Sequence, residues 1–74
     1  MQTITVAPTS NPSGRPQRIA KGSGKQRTVS VDLARSEDWN AGNAAGTLGL
    51  ALGWKPEHRI ERGEKWGTFV NHDL

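Results

Sequence analysis

The chain has no cysteine, so disulfides and thiolate-ligated zinc are excluded as sources of stability. It has no tyrosine and one phenylalanine, which leaves Trp39, Trp54 and Trp66 as the other aromatics. No apolar run approaches the ~20 residues of a membrane-spanning helix. Met1–Val6 lacks both the basic start and the long apolar stretch of a secretory signal, so a cytoplasmic protein with no membrane contact is expected. Leu, Ile, Val and Phe total 13 of 74 residues, a thin supply for a core. The most informative absence is of acid at the front. Residues 1–31 carry Arg15, Arg18, Lys21, Lys25 and Arg27 and no Asp or Glu. Residues 32–74 carry five basic and seven acidic groups, so the overall +3 hides a cationic front and a mildly acidic back. Such segregation bears on partners more than on fold.

Gln2 to Ala7 alternates polar and apolar residues, a short strand pattern or a frayed terminus. Residues 8–26 contain three prolines, three glycines and three serines, and read as a flexible basic loop. Residues 1–26 are therefore expected as a flexible segment, and residues 27–74 as a small β-α-β-β domain. In Arg27–Leu33, Val29, Val31 and Leu33 share one face of an expected strand. Ser36 is placed to cap a helix from Glu37 to Leu52, with Glu37 and Asp38 in its first turn, Gly53 as its left-handed stop and Pro56 beyond. Ala41, Ala44, Ala45, Leu48, Ala51 and Leu52 fall on one arc of that helix, the expected core face. Asn40, Asn43 and Thr47 fall on the far side. Gly42, Gly46 and Gly49 form a stripe beside the core face, costing about 0.8–1 kcal/mol each relative to Ala. Close approach of another backbone, the chain's own or a partner's, is the physical candidate for offsetting that.

His58–Arg62 and Lys65–Asn71 read as a hairpin about Gly63-Glu64. A two-residue turn pairs Glu61 with Trp66 and sets Ile60 on the face of Phe69; a three-residue loop sets Ile60 with Trp66 and Val70. The expected fold is α+β: a three- or four-stranded antiparallel sheet, one helix across it, and a basic loop near the N-terminus.

Catalytic chemistry finds no residue set. Lys21-Gly-Ser-Gly-Lys25 suggests a phosphate loop, but Ile19 stands where its first glycine belongs, Gln26 stands where it needs Ser or Thr, and a strand follows instead of a helix. His58, His72 and Asp73 are read as surface groups rather than as a metal site, and no cofactor is indicated. What remains is binding. The cationic loop suits phosphates or an acidic protein patch, and exposed tryptophans suit an anchoring role. The candidate partner-binding residues are Arg15, Arg18, Lys21, Lys25, Arg27, Trp39 and Trp66, with Trp54 assigned to structure beside the helix cap.

The tract Arg27–Asn71 resembles, in its strand-helix-strand-strand pattern, the small phage- and plasmid-encoded proteins that bind and inhibit host machines, such as RNA polymerase inhibitors and anti-CRISPR proteins. The resemblance implies stoichiometric binding without catalysis. The expectation is a monomeric regulator or inhibitor docking on a protein or nucleoprotein complex, with the transcription apparatus as best guess. The alternative is direct DNA or RNA binding by the same basic loop, and a third reading is a homodimer through the glycine stripe.

Overall fold

The computed structural model describes residues 1–63 and 67–74. Along the chain run β1 (Gln2–Ser10), β2 (Pro16–Gly22), β3 (Lys25–Ser30), α1 (Glu37–Leu52), β4 (Ile60–Arg62) and β5 (Thr68–Asn71). The strands form one antiparallel sheet in the order β3-β2-β1-β5-β4, with α1 packed over β1, β2 and β3. The fold is α+β, with five strands where three or four were expected.

The additional strands come from the front of the chain, where a loop was expected. Two tight turns account for this. Gly14 N–H donates to the Asn11 carbonyl at 2.9 Å, Arg15 N–H donates to Asn11 Oδ1 at 2.9 Å, and Gly14 takes φ +81°. Pro12 is pre-set for the first corner of that turn. Ser23 and Gly24 both have positive φ, 50° and 77°, the two-residue turn whose twist matches a hairpin. β2 and β3 then pair from Gly22↔Lys25 to Gln17↔Ser30, so the boundary expected at residue 26 falls inside β3. Pro8 is tolerated within β1 because β5 pairs only as far as Thr5, and no described residue on that side takes the N–H that proline lacks.

The expected helix is present with both caps. Ser36 Oγ accepts from Trp39 N–H at 3.1 Å. At the other end Trp54 N–H donates to the Gly49 carbonyl and Gly53 N–H to that of Leu50, with Gly53 at φ 84°. Trp54 folds back onto Gly49 and donates from Nε1 to Gln2 Oε1 at 2.7 Å, tying the cap to β1. The core is Ile4, Val6, Ala20 and Phe69 from the sheet against Ala41, Ala44, Ala45 and Leu48 from α1. Alanines on both layers allow close helix-to-sheet approach.

Three local expectations are corrected. β3 ends at Ser30, and the chain turns at Asp32–Arg35, leaving Leu33 85% exposed. Asn40 causes this. It is buried, not on an outer face; its Oδ1 accepts from Asp32 N–H at 2.8 Å and its Nδ2 donates to the carbonyls of Asp32 and Ser36. In the C-terminal hairpin, Arg62 pairs with Phe69 and Glu61 with Val70, a register of neither expected kind. Ile60 does share the face of Phe69, and Phe69 is buried.

Candidate functional site

The strand register sorts the five front cations into different places. On β2, Arg18 and Ala20 point to the helix side and are buried. Arg18 therefore lies under α1, where its Nη2 donates to both Glu37 carboxylate oxygens at 2.7 and 2.8 Å and its Nε reaches Oε2 at 3.3 Å. Nη1 donates to the Gln17 carbonyl at 2.9 Å. Two-point contact of this kind fixes the first helical turn on the sheet. Arg18 is thus a structural cation held inside the fold.

Lys21, Lys25 and Arg27 remain exposed around the Ser23–Gly24 turn. Among the described residues none of the three ion-pairs with an acid; Arg27 donates from Nη1 to the carbonyl of Gln26 at 2.7 Å. The acids of the back half are largely committed elsewhere. Asp32 lies 3.9 Å from Arg35, Asp38 3.9 Å from Arg62 and Glu61 3.3 Å from His72. Arg15 sits at the opposite end of β3. There it lines a pocket of about 280 Å³ with Pro16, Ser30, Val31 and Leu33. The basic segment is thus a hairpin with a cationic tip, on an edge of the sheet.

Trp39 lies on the other side of the helix. Because α1 covers the β1–β3 half, an open groove of about 540 Å³ remains between α1 and the β4–β5 hairpin. Phe69 and Ile60 line its sheet side, Gly42 and Trp39 its helix side. The Arg62 guanidinium stacks over Phe69 at 4.6 Å and donates to the Asp38 carbonyl at 2.7 Å. Trp39 is 42% exposed at the lip, with Arg35 stacked on it at 4.9 Å. Trp66 falls on residues 64–66, outside the described residues. The cations and Trp39 were all candidate partner-binding residues; the sheet order places them on opposite sides of the helix. Sequence reasoning missed Arg62, Ile60 and Phe69 as groove residues, whose signal was the face shared by Ile60 and Phe69.

The glycine stripe now divides into separate roles. At Gly49 a Cβ would stand 3.3 Å from Trp54, so that glycine admits the folded-back indole. At Gly42 the nearest group is Arg62 Nη2, 3.6 Å away. At Gly46 a Cβ would meet nothing within 4 Å among the described residues. Gly46→Ala is therefore expected to stabilise the fold by about 0.5–1 kcal/mol, raising the melting temperature by a few degrees. Gly49→Ala should give no such gain. Circular-dichroism melts of both variants check this.

Among the described residues no three His, Asp or Glu side chains converge as a metal site. His58 Nδ1 already accepts from Lys55 N–H at 3.0 Å and lies 3.1 Å from Asn71 Nδ2. No described helix is long and apolar enough to cross a membrane. Comparison with protein-family models, with curated proteins and with solved structures found no match.

Proposed function

We propose that this chain is a non-enzymatic cytoplasmic binding protein, a regulator or inhibitor that docks on a protein or nucleoprotein machine, with the transcription apparatus as the best guess. One observation carries the reading. Lys21, Lys25 and Arg27 have no described acidic partner and are mounted on a tight hairpin rather than a loose loop. Cations held in fixed geometry steer encounter and fix orientation on an acidic surface at less ordering cost than a mobile arm. Trp39, exposed at the groove lip, supplies a second, separate anchor. Affinity purification with wild type and with the Lys21→Ala/Lys25→Ala/Arg27→Ala variant tests the reading at low and moderate salt. The expected outcome is a partner held by wild type and lost by the variant. Identical recoveries from both would sink it.

Direct nucleic-acid binding by the same hairpin is the second reading, since its tip could neutralise phosphates. Three cations release few counterions, so the log–log salt slope would be no steeper than roughly −3. A mobility shift on DNA and RNA at low salt measures it, and no shift ends that reading.

A further inference from the structure

We propose that the exposed edge of β3 accepts an extended acidic peptide segment as a sixth strand of the sheet. This rests on the reading above of the cationic hairpin as the docking surface, and names what that surface takes.

The backbone supplies the first argument. Among the described residues β3 is an outer strand, bonded on one side only, to β2. A two-residue hairpin turn closes on a hydrogen-bonded pair, so Gly22↔Lys25 bonds, and alternation makes Ala20↔Arg27 and Arg18↔Val29 the next bonded pairs. Val31 N–H donating to the Pro16 carbonyl at 3.2 Å continues the same parity. Gln26, Thr28 and Ser30 therefore aim their backbone N–H and C=O groups outward, along the free edge. Arg27 covers one of them, donating to the Gln26 carbonyl. An edge of this length, exposed at every residue but Val29, is a template for strand addition.

Charge selects the occupant. Lys25 and Arg27 project to the helix side of the edge, and Lys21 and Gln26 to the other, with no described acid paired to the three cations. A second copy of β3 brings the same cations and no acid, so self-pairing sets like charge against like. A strand with glutamates opposite Lys25 and Arg27 meets opposite charge at both, and draws the Arg27 guanidinium off the Gln26 carbonyl. Val31 lies four residues beyond Arg27 and lines the pocket with Pro16 and Leu33. That spacing keeps the same face of an added strand, so the segment also carries an apolar side chain four positions from its acidic pair. No aromatic stands on this edge to stack a base, which favours peptide over nucleic acid.

The test uses a short fluorescent peptide with two glutamates at alternate positions and a leucine four positions from the nearer one. It is made in both chain orders, beside a scramble of equal composition. Wild type should bind one order at least tenfold more tightly than the scramble, and amide exchange at Gln26, Thr28 and Ser30 should slow in the complex. Thr28→Pro removes an outward donor and leaves every charge and every β2–β3 bond in place, so it should weaken binding at least tenfold. If Thr28→Pro fails to fold, N-methylation of alternate peptide amides asks the same question of the unaltered protein; methylation on the bonding edge should abolish binding, and on the opposite edge should not. Binding that survives both changes but falls in Lys25→Ala/Arg27→Ala overturns strand addition and leaves the cationic-surface reading standing. Binding that none of these alters overturns both. Slowing of the same amides by self-association, or tighter binding of an oligonucleotide of equal charge that Thr28→Pro leaves unchanged, also overturns the proposal.

Discussion

Gly67→Ala is expected to lower the melting temperature by some 10–20 °C. Gly67 is buried immediately before β5, and its carbonyl accepts from Val6 N–H, the last contact among the described residues joining β1 to the C-terminal hairpin. A Cβ at this position would overlap the Val6 carbonyl oxygen, and the obstacle is backbone rather than a side chain that can swing away. Relief requires β1 and β5 to separate. β1 is the central strand and carries Ile4 and Val6 into the core, so separation also loosens the packing beneath α1. A cost of about 2–4 kcal/mol is in the range of severe backbone clashes. A domain of this size has roughly 4–11 kcal/mol in total, and each kcal/mol is worth about 4–8 °C here. Thermal melts followed at far-UV wavelengths measure the shift. A melting temperature within a few degrees of wild type would contradict this account of β1–β5 docking. Gly22, whose Cβ would come 2.8 Å from the Thr3 carbonyl oxygen, offers a second site for the same measurement.

The second large effect is asymmetric. Glu37→Ala should destabilise the fold by about 2 kcal/mol, whereas Arg18→Met should stay within about 1 kcal/mol of wild type. Removing Glu37 takes the carboxylate from a guanidinium that remains buried under the helix. Breaking a fully buried pair from one side costs about 3–5 kcal/mol, and exposed pairs are worth less than about 1 kcal/mol. The Glu37 side chain is 59% exposed, so solvent screening places this pair between those limits. Glu37 also sits in the first turn of α1, where a negative charge contributes a few tenths of a kcal/mol more. Replacing Arg18 by methionine removes the charge itself, fills similar volume with apolar atoms and leaves Glu37 facing water. Urea unfolding of both variants provides the comparison. An Arg18→Met variant less stable than Glu37→Ala would show that the pair adds more than its desolvation removes.

These two sites also separate what is local in this protein from what is not. The helix from Glu37 to Leu52, its Ser36 cap and its Gly53 stop depend on bonds spanning three to five residues, and all were readable from neighbouring side chains. The alternation about Ile4 and Val6 likewise carried a strand pattern, read against a frayed terminus, and β1 puts both side chains in the core. The exposed cations were legible as charges, because composition reports sign directly.

The sequence by itself determined the helix with its alanine core face, the charge split and the absence of disulfides. The tertiary structure decided the rest. Only strand pairing turned residues 8–26 into a meander, since a Ser-Gly turn and a strand with arginine facing inward resemble a loop until β1 and α1 supply partners. Only the packed helix made Arg18 structural, through a contact to Glu37 that spans 19 residues, and only strand pairing set Lys21, Lys25 and Arg27 together about one hairpin turn. Asn40 was sent inward because its buried amide finds partners in the backbone groups of Asp32, eight residues earlier. Gly67 was reserved by a carbonyl on a strand more than sixty residues earlier in the chain. Local propensity acts within a few residues; the surfaces available for binding were set by contacts far longer than that.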